Sequence, residues 1–197
     1  MKTLRLLAAA LCATAAFSAA RATTVIPPTF DELVAQAELI FDGTVTDVKS
    51  QWIGEGAQRH IVSFVTVQVQ DPIKGTPGES YTLRMLGGTV GEETMEVSDS
   101  PKFRVGDRDI LFVENNGKQF IPLVGIMHGR FHVERDNATG ADMVLTDNGS
   151  ALSNVQTLGR EDAAGASKGA VTNAVERPLD AESFKAAIRS KLATVQQ

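Results

Sequence analysis

Two histidines and an arginine occur at alternate positions near residue 130. His128, Arg130 and His132 fall on one face of a strand predicted over residues 126–135, while Phe131 and Val133 face inward. We expect the first face to be exposed and to bind a small molecule or glycan through Arg130 and His132. A shared metal is not expected: four strand residues span about 13 Å, whereas two imidazoles on one zinc ion bring their nitrogens within about 4 Å. No metal or cofactor is expected.

A second group of residues that could bind a metal ion or act in catalysis is acidic: Glu92, Glu93, Glu96 and Asp99. These positions lack the alternating spacing of a calcium-binding loop, so a solvated loop is the simpler interpretation. The chain also has no G-x-S-x-G and no H-E-x-x-H motif, and its only cysteine is Cys12. A non-enzymatic protein is therefore favoured. A hydrolase that uses carboxylates near residues 92–99 is a less favoured alternative.

Short β-strands must position these side chains. Alternating apolar and polar residues predict strands that begin at Leu39 and cover about 61–70, 81–85, 110–113, 120–123 and 126–135. The 110–113 strand is apolar on both faces, which is typical of a central strand. Gly43, inside the first strand, indicates a bulge or sharp bend. We therefore predict an all-β fold, a small closed five-stranded OB-like (Greek-key) barrel over residues 23–135, with an open sandwich as the alternative.

Helices are predicted on either side of the barrel. Thr29 and Glu32 have the spacing of a capping box, and apolar residues at helical intervals predict a short helix over residues 30–38. Residues 136–178 are rich in small and polar residues and are predicted to be an extension or linker, in which only residues 143–145 pair as a strand. Asp180 is expected to cap a C-terminal amphipathic helix within residues 179–197, whose apolar stripe docks on the barrel.

The first 22 residues have the features of a secretory signal peptide. A basic start precedes an apolar run, and Ala20-Arg21-Ala22 supplies a cleavage site, so we expect cleavage after Ala22. Cleavage would remove three basic and no acidic residues, which changes the net charge from −5 to −8. An acidic, cysteine-free chain with scattered basic residues favours a periplasmic or extracellular protein that binds neither nucleic acid nor, after cleavage, a membrane.

The start of the mature chain resembles the tissue inhibitors of metalloproteinases and the wider netrin-like family of OB-type barrels. The matching segments are Thr23-Thr24-Val25-Ile26-Pro27-Pro28, Glu38-Leu39-Ile40-Phe41 and Ile73-Lys74-Gly75, so the resemblance covers about residues 23–75. The cysteines that the family has at its first and third positions are Thr23 and Val25 here. The resemblance implies a barrel fold and a protein-binding function.

In those inhibitors the first residue chelates the zinc ion of the protease through its α-amine and carbonyl. The resemblance implies that Thr23 could do the same and that the Thr24 side chain could enter the specificity pocket. The first functional hypothesis is therefore an exported, non-enzymatic binding module that binds or inhibits a secreted zinc metalloprotease or another exported protein. A barrel that binds a small molecule or glycan through Arg130 and His132 is the alternative.

Overall fold

The computed structural model describes residues 26–159 and 178–195. Two α-helices and eight strands occur in this part of the chain, with 3₁₀ turns between some of them. The helices are α1 (Phe30–Gln36) and α2 (Ala181–Val195). The strands are β1 (Leu39–Ile53), β2 (His60–Lys74), β3 (Ser80–Leu86), β4 (Gly88–Val90), β5 (Glu93–Met95), β6 (Arg108–Val113), β7 (Arg130–Arg135) and β8 (Asp142–Thr146).

Six of these strands form one antiparallel sheet in the order β3-β2-β1-β6-β7-β8. Strands β4 and β5 form a separate two-stranded ribbon. Within the described residues β3 and β8 are the edges of the sheet, and neither pairs with the other to close a cylinder. The prediction of a closed five-stranded OB-like barrel is therefore wrong, although the fold is mostly β and β6 is a central strand as expected.

The segment after β6 does not form the strand expected there. The strand expected at residues 120–123 is reduced to one bridge, Val113 to Leu123. The side chain of Asn116 occupies the edge of β3 instead: its Oδ1 accepts a hydrogen bond from the Arg84 amide at 2.9 Å, and its Nδ2 donates to the Thr82 carbonyl at 2.8 Å. One side-chain amide thus replaces part of a neighbouring strand and covers an edge that would otherwise be open to pairing.

The opposite edge is covered in a similar way. Strand β8 lies within the 136–178 segment and includes the expected strand residues 143–145. Its outer side accepts and donates hydrogen bonds with residues 150–152 and with Leu179, including the Val144 amide to the Leu179 carbonyl at 3.0 Å. Both edges of the sheet are therefore covered by non-strand segments.

Each face of the sheet carries its own hydrophobic core. One face packs against both helices, with Phe112 and Phe131 of the sheet in contact with Phe184 of α2. The other face packs against the segment that precedes β6 and the segment that follows it, including Phe103 and Leu123. Because both faces are buried, a side chain that points away from the helices does not necessarily reach water.

The two helices are capped as the sequence predicts. The Thr29 hydroxyl accepts a hydrogen bond from the Glu32 amide at 3.3 Å, and the Glu32 carboxylate accepts one from the Thr29 amide at 2.8 Å, which completes the capping box. Asp180 accepts a hydrogen bond from the Ser183 amide at 2.8 Å at the start of α2. Among the described residues, neither helix has the length and hydrophobicity needed to cross a bilayer.

A buried charge network joins α2 to the sheet. Asp42 of β1, which is 1% exposed, accepts hydrogen bonds from Arg108 Nη2 at 2.7 Å and from Lys185 Nζ at 3.3 Å. Phe184 and Ile188 of α2 are fully buried on either side of this contact, so the expected docking of the helix is confirmed for these two residues. The helix belongs to the same packed unit as the sheet.

Gly43 lies at a β-bulge, as the sequence predicts. The pairing of β1 with β2 shifts register between Asp42 and Gly43. A Cβ atom at Gly43 would lie 2.6 Å from the carbonyl oxygen of Gln68, so only glycine permits this close approach of the two strands.

Replacement of Asn116 by Ala tests the coverage of the β3 edge. We expect the free energy of unfolding to fall by about 1–3 kcal/mol, because partly buried backbone groups of β3 lose their partners. Urea unfolding would measure this change, with Asn137→Ala in an exposed turn as the control. Equal stability of the two variants would show that Asn116 does not protect the edge.

Candidate functional site

Arg130 is buried, contrary to the expectation that it faces solvent. The residue is 2% exposed, and its side chain lies on the sheet face away from the helices. Phe103 covers the guanidinium there, with the Arg130 Cζ 4.0 Å from the ring centroid. The alternation of β7 was assigned correctly, but the sequence pattern did not show that a loop segment covers the second face.

The Arg130 guanidinium is bound by β6 and by the segment that precedes it, and it also lies 3.6 Å from the Asp147 carboxylate. Its Nε donates to Asp109 Oδ1 at 3.0 Å, and its Nη2 donates to Asp109 Oδ2 at 3.1 Å and to Asp107 Oδ2 at 2.8 Å. Its Nη1 donates to the Lys102 carbonyl at 2.9 Å. Arg130 therefore fixes residues 102–107 against β6 and β7 and is a positioning residue rather than an accessible ligand-binding group.

His132 lies beside this cluster and is partly exposed. Its Nδ1 is 2.8 Å from Asp109 Oδ1, and its Nε2 is 3.9 Å from Asp147 Oδ1. His128 is not on the same strand, because residues 126–129 form a 3₁₀ turn and β7 begins only at Arg130. In the part of the chain that the structure describes, no three His, Cys, Asp or Glu side chains are arranged to hold a metal ion.

A small cavity of about 100 Å³ adjoins the cluster, between Pro28, His128 and Asp147. Burial raises the pKa of the Asp147 carboxyl, although nearby Arg130 and His132 act in the opposite direction. The cavity is smaller than the roughly 300–1,000 Å³ typical of ligand pockets. Its charged groups are largely bound to one another, so its main role is in packing.

A larger groove of about 330 Å³ lies on the other side of Phe103, between the sheet and the β4–β5 ribbon. We call it the ribbon groove. Its buried floor is apolar and consists of Val65, Met85 and Phe103, which are 2%, 4% and 9% exposed. Its volume lies within the usual range for small-molecule sites.

Hydroxyl groups line the walls of the ribbon groove. Ser50 of β1 and Ser63 of β2 are paired across the strands, with their Oγ atoms 2.8 Å apart. At the mouth, Lys102 donates to Glu96 at 2.7 Å, and both side chains are mostly exposed. The site thus combines an apolar floor, a hydroxyl pair and one neutralised ion pair.

No motif in the sequence indicates this groove. Residues 92–99 are predicted to form a solvated acidic loop, whereas residues 88–95 contain the ribbon that forms one wall. A Gly-Gly pair after β3 is visible in the sequence, and so are Ser50 and Ser63, of which only Ser63 falls within a predicted strand (61–70). Their proximity depends on the register of β1 with β2, which composition and periodicity alone do not define.

Thr23 and Thr24, the residues implicated by the family resemblance, lie outside the described residues. The chain is described from Ile26 onward, and Pro27 and Pro28 line the smaller cavity. Inhibition of a secreted zinc protease through Thr23 and Thr24 therefore stays a prediction.

Two arginines on β7 allow a matched test of the buried cluster. We expect Arg130→Gln to lower the free energy of unfolding by about 3–5 kcal/mol, because Asp109 would stay buried without its main cation. Arg135→Gln removes an ion pair whose arginine side chain is 68% exposed, and should cost less than about 1 kcal/mol. Chemical denaturation of both variants measures the difference, and similar losses would contradict a special role for Arg130.

Asp147 allows a test by pH. Because its folded-state pKa is raised, its contribution to stability is present below the pKa of the unfolded state and is lost as pH rises through the folded-state pKa. Asp147→Asn should therefore melt at a higher temperature than the parent at pH 7, and the difference should vanish below about pH 3.9. A melting series with exposed Glu92→Gln as control checks this, and a lower melting temperature of the Asp147 variant at pH 7 would refute it.

Comparison of the chain with protein-family models, with curated proteins and with solved structures gives no match. The resemblance to the netrin-like inhibitors stays a prediction from short sequence segments. The functional inference for this protein therefore depends on the geometry and chemistry of the ribbon groove.

Proposed function

We propose that this chain is an exported, non-enzymatic protein that binds a small, mostly apolar molecule in the ribbon groove. The single observation that supports this most directly is a groove of about 330 Å³ with a buried apolar floor and a hydroxyl-lined wall. Ligand sites commonly combine mostly apolar walls with a few placed polar groups. The volume and chemistry of this groove match that description.

The chemistry of the groove favours binding over catalysis. In residues 26–159 and 178–195, no histidine lines the groove, and neither Ser50 nor Ser63 is hydrogen-bonded to a histidine or carboxylate. A serine nucleophile is normally activated by an adjacent base. Glu96, the carboxylate at the mouth, is hydrogen-bonded to Lys102, which holds the pKa of Glu96 below its usual value.

The compartment in this proposal follows from the sequence. The predicted signal peptide over residues 1–22 indicates export, and the rest of the chain contains no cysteine. A periplasmic or extracellular location is consistent with both features. The proposed ligand would therefore be one that such a protein meets outside the cytoplasm.

N-phenyl-1-naphthylamine, a neutral fluorescent molecule with two aromatic groups, is a suitable first probe. We expect saturable binding of about one probe per chain, because the apolar floor removes the aromatic surface from water. Fluorescence titration of the purified protein measures the dissociation constant. Absence of saturable binding up to the solubility limit of the probe would contradict the proposal.

A groove-filling substitution assigns the binding to this site. Val48 is a half-buried residue of the groove wall, so Val48→Trp should weaken probe binding at least about tenfold, a change of 1.4 kcal/mol. Val105→Trp places the same side chain at a position that is 65% exposed and outside the groove lining, and should leave binding unchanged. Equal effects of the two substitutions would show that the probe binds elsewhere.

A further inference from the structure

The hydrogen bond between the two serine hydroxyls in the ribbon groove has a defined donor and acceptor. Ser63 Oγ donates to the Gly87 carbonyl at 2.7 Å, and the same oxygen lies 2.8 Å from Ser50 Oγ. A serine hydroxyl has one proton, and a carbonyl can only accept. The Ser63 proton is therefore used on Gly87, and Ser50 must donate its own proton to Ser63.

This order leaves Ser50 as an acceptor. Its only proton points to Ser63, and among the described residues no other hydrogen bond to its Oγ is formed. A hydroxyl oxygen has two acceptor lone pairs. Because its own O–H group donates into a chain of hydrogen bonds, Ser50 Oγ also becomes a stronger acceptor.

Gly88 keeps the serine pair in place. Its φ angle is +131°, and a Cβ atom at this position would overlap the Oγ atoms of both Ser50 and Ser63. The backbone of β4 therefore passes directly over the pair, as only glycine allows. The serine pair is therefore covered by backbone on that side.

The charges at the groove favour a neutral ligand. Among the described residues, Lys102 is the only basic residue that lines the groove, and Glu96 neutralises it at 2.7 Å. The remaining polar groups are hydroxyls and backbone atoms. An anionic ligand would have to compete with Glu96 for Lys102, and a cationic ligand would find only a paired carboxylate.

We infer that the ribbon groove selects a neutral molecule with an apolar body and one hydrogen-bond donor, a hydroxyl or N–H group, which donates to Ser50 Oγ. This inference rests on the proposed function and specifies its ligand class. The groove would distinguish a hydrogen-bond donor from a pure acceptor of the same shape, because an acceptor atom of a ligand would face the lone pairs of Ser50 Oγ and find no proton there.

Two matched biphenyls test the donor requirement. 4-Phenylphenol can donate a hydrogen bond, whereas 4-methoxybiphenyl can only accept one, and both can be measured by displacement of N-phenyl-1-naphthylamine. We expect the parent protein to bind the phenol about fivefold more tightly, the effect of about one net hydrogen bond. In Ser50→Ala this preference should disappear while the affinity for the methyl ether stays within twofold of the parent.

Two further serine variants separate the effect of the hydrogen-bond order from the effect of removing a groove hydroxyl. Ser63→Ala removes the acceptor of the Ser50 proton, so Ser50 can then donate to a ligand, and the preference for the phenol should fall or reverse. Ser100→Ala changes a groove serine outside the hydrogen-bonded pair and should keep the fivefold preference. An unchanged preference in both Ser50→Ala and Ser63→Ala would overturn the inference.

The outcomes also separate this inference from the proposed function. Equal affinity of the parent protein for both biphenyls, with N-phenyl-1-naphthylamine still bound in the groove, would overturn the donor rule and leave small-molecule binding intact. Failure of all three probes to bind would overturn the proposed function and the donor rule with it.

Discussion

The buried pair of Arg130 and Asp109 is the constraint on which the second face of the sheet depends. A guanidinium removed from water is tolerated only where it is paired and its N–H groups are hydrogen-bonded. Here those partners come from β6, from Asp107 and from the Lys102 carbonyl. The covering segment must therefore take one position, and Phe103, stacked on the guanidinium, takes one position with it. The floor of the ribbon groove thus depends on a charge that the groove does not expose.

The helical face uses a comparable arrangement around Asp42. That carboxylate receives both Arg108 and Lys185, so a second buried charge holds α2 on the sheet. The two charged anchors lie on opposite faces of neighbouring strands, because Asp42 and Asp109 have opposite side-chain directions. The sheet consequently presents rigid hydrophobic layers on both sides without closing on itself.

Local features of the fold were predictable because they depend on neighbours in sequence. The Thr29 capping box, the Asp180 cap and the central position of β6 follow from short-range hydrogen-bonding and burial patterns. The open sheet was not predictable, because closure depends on whether the segment after β6 forms the strand expected at residues 120–123 or contacts β3 through the Asn116 side chain. The burial of Arg130 could not be predicted for the same reason: strand alternation assigns a face, but it does not reveal what covers that face.

The residues of the ribbon groove could not be predicted from sequence patterns. Ser50 and Ser63 are unremarkable in the sequence, and their contact exists only because β1 and β2 pair in one register. Gly88 contributes because it has no Cβ atom, which lets the backbone approach the serine pair; a count of polar residues does not detect this. The positions that carry the proposed selectivity therefore have neither the residue types nor the spacing of a known catalytic or metal motif.

The contact between Lys185 and Asp42 also has a kinetic consequence. These partners are 143 residues apart in the chain, whereas β1 and β2 are consecutive and can pair as a local hairpin. Contacts between distant residues form late and slow the folding of a domain. The hairpin and the pairing of Asp42 with Arg108 of β6 can form without α2, whereas the contact of Asp42 with Lys185 requires the C-terminal helix to dock. We therefore expect the helical core to be completed in a late, non-local step, after the long hairpin has formed.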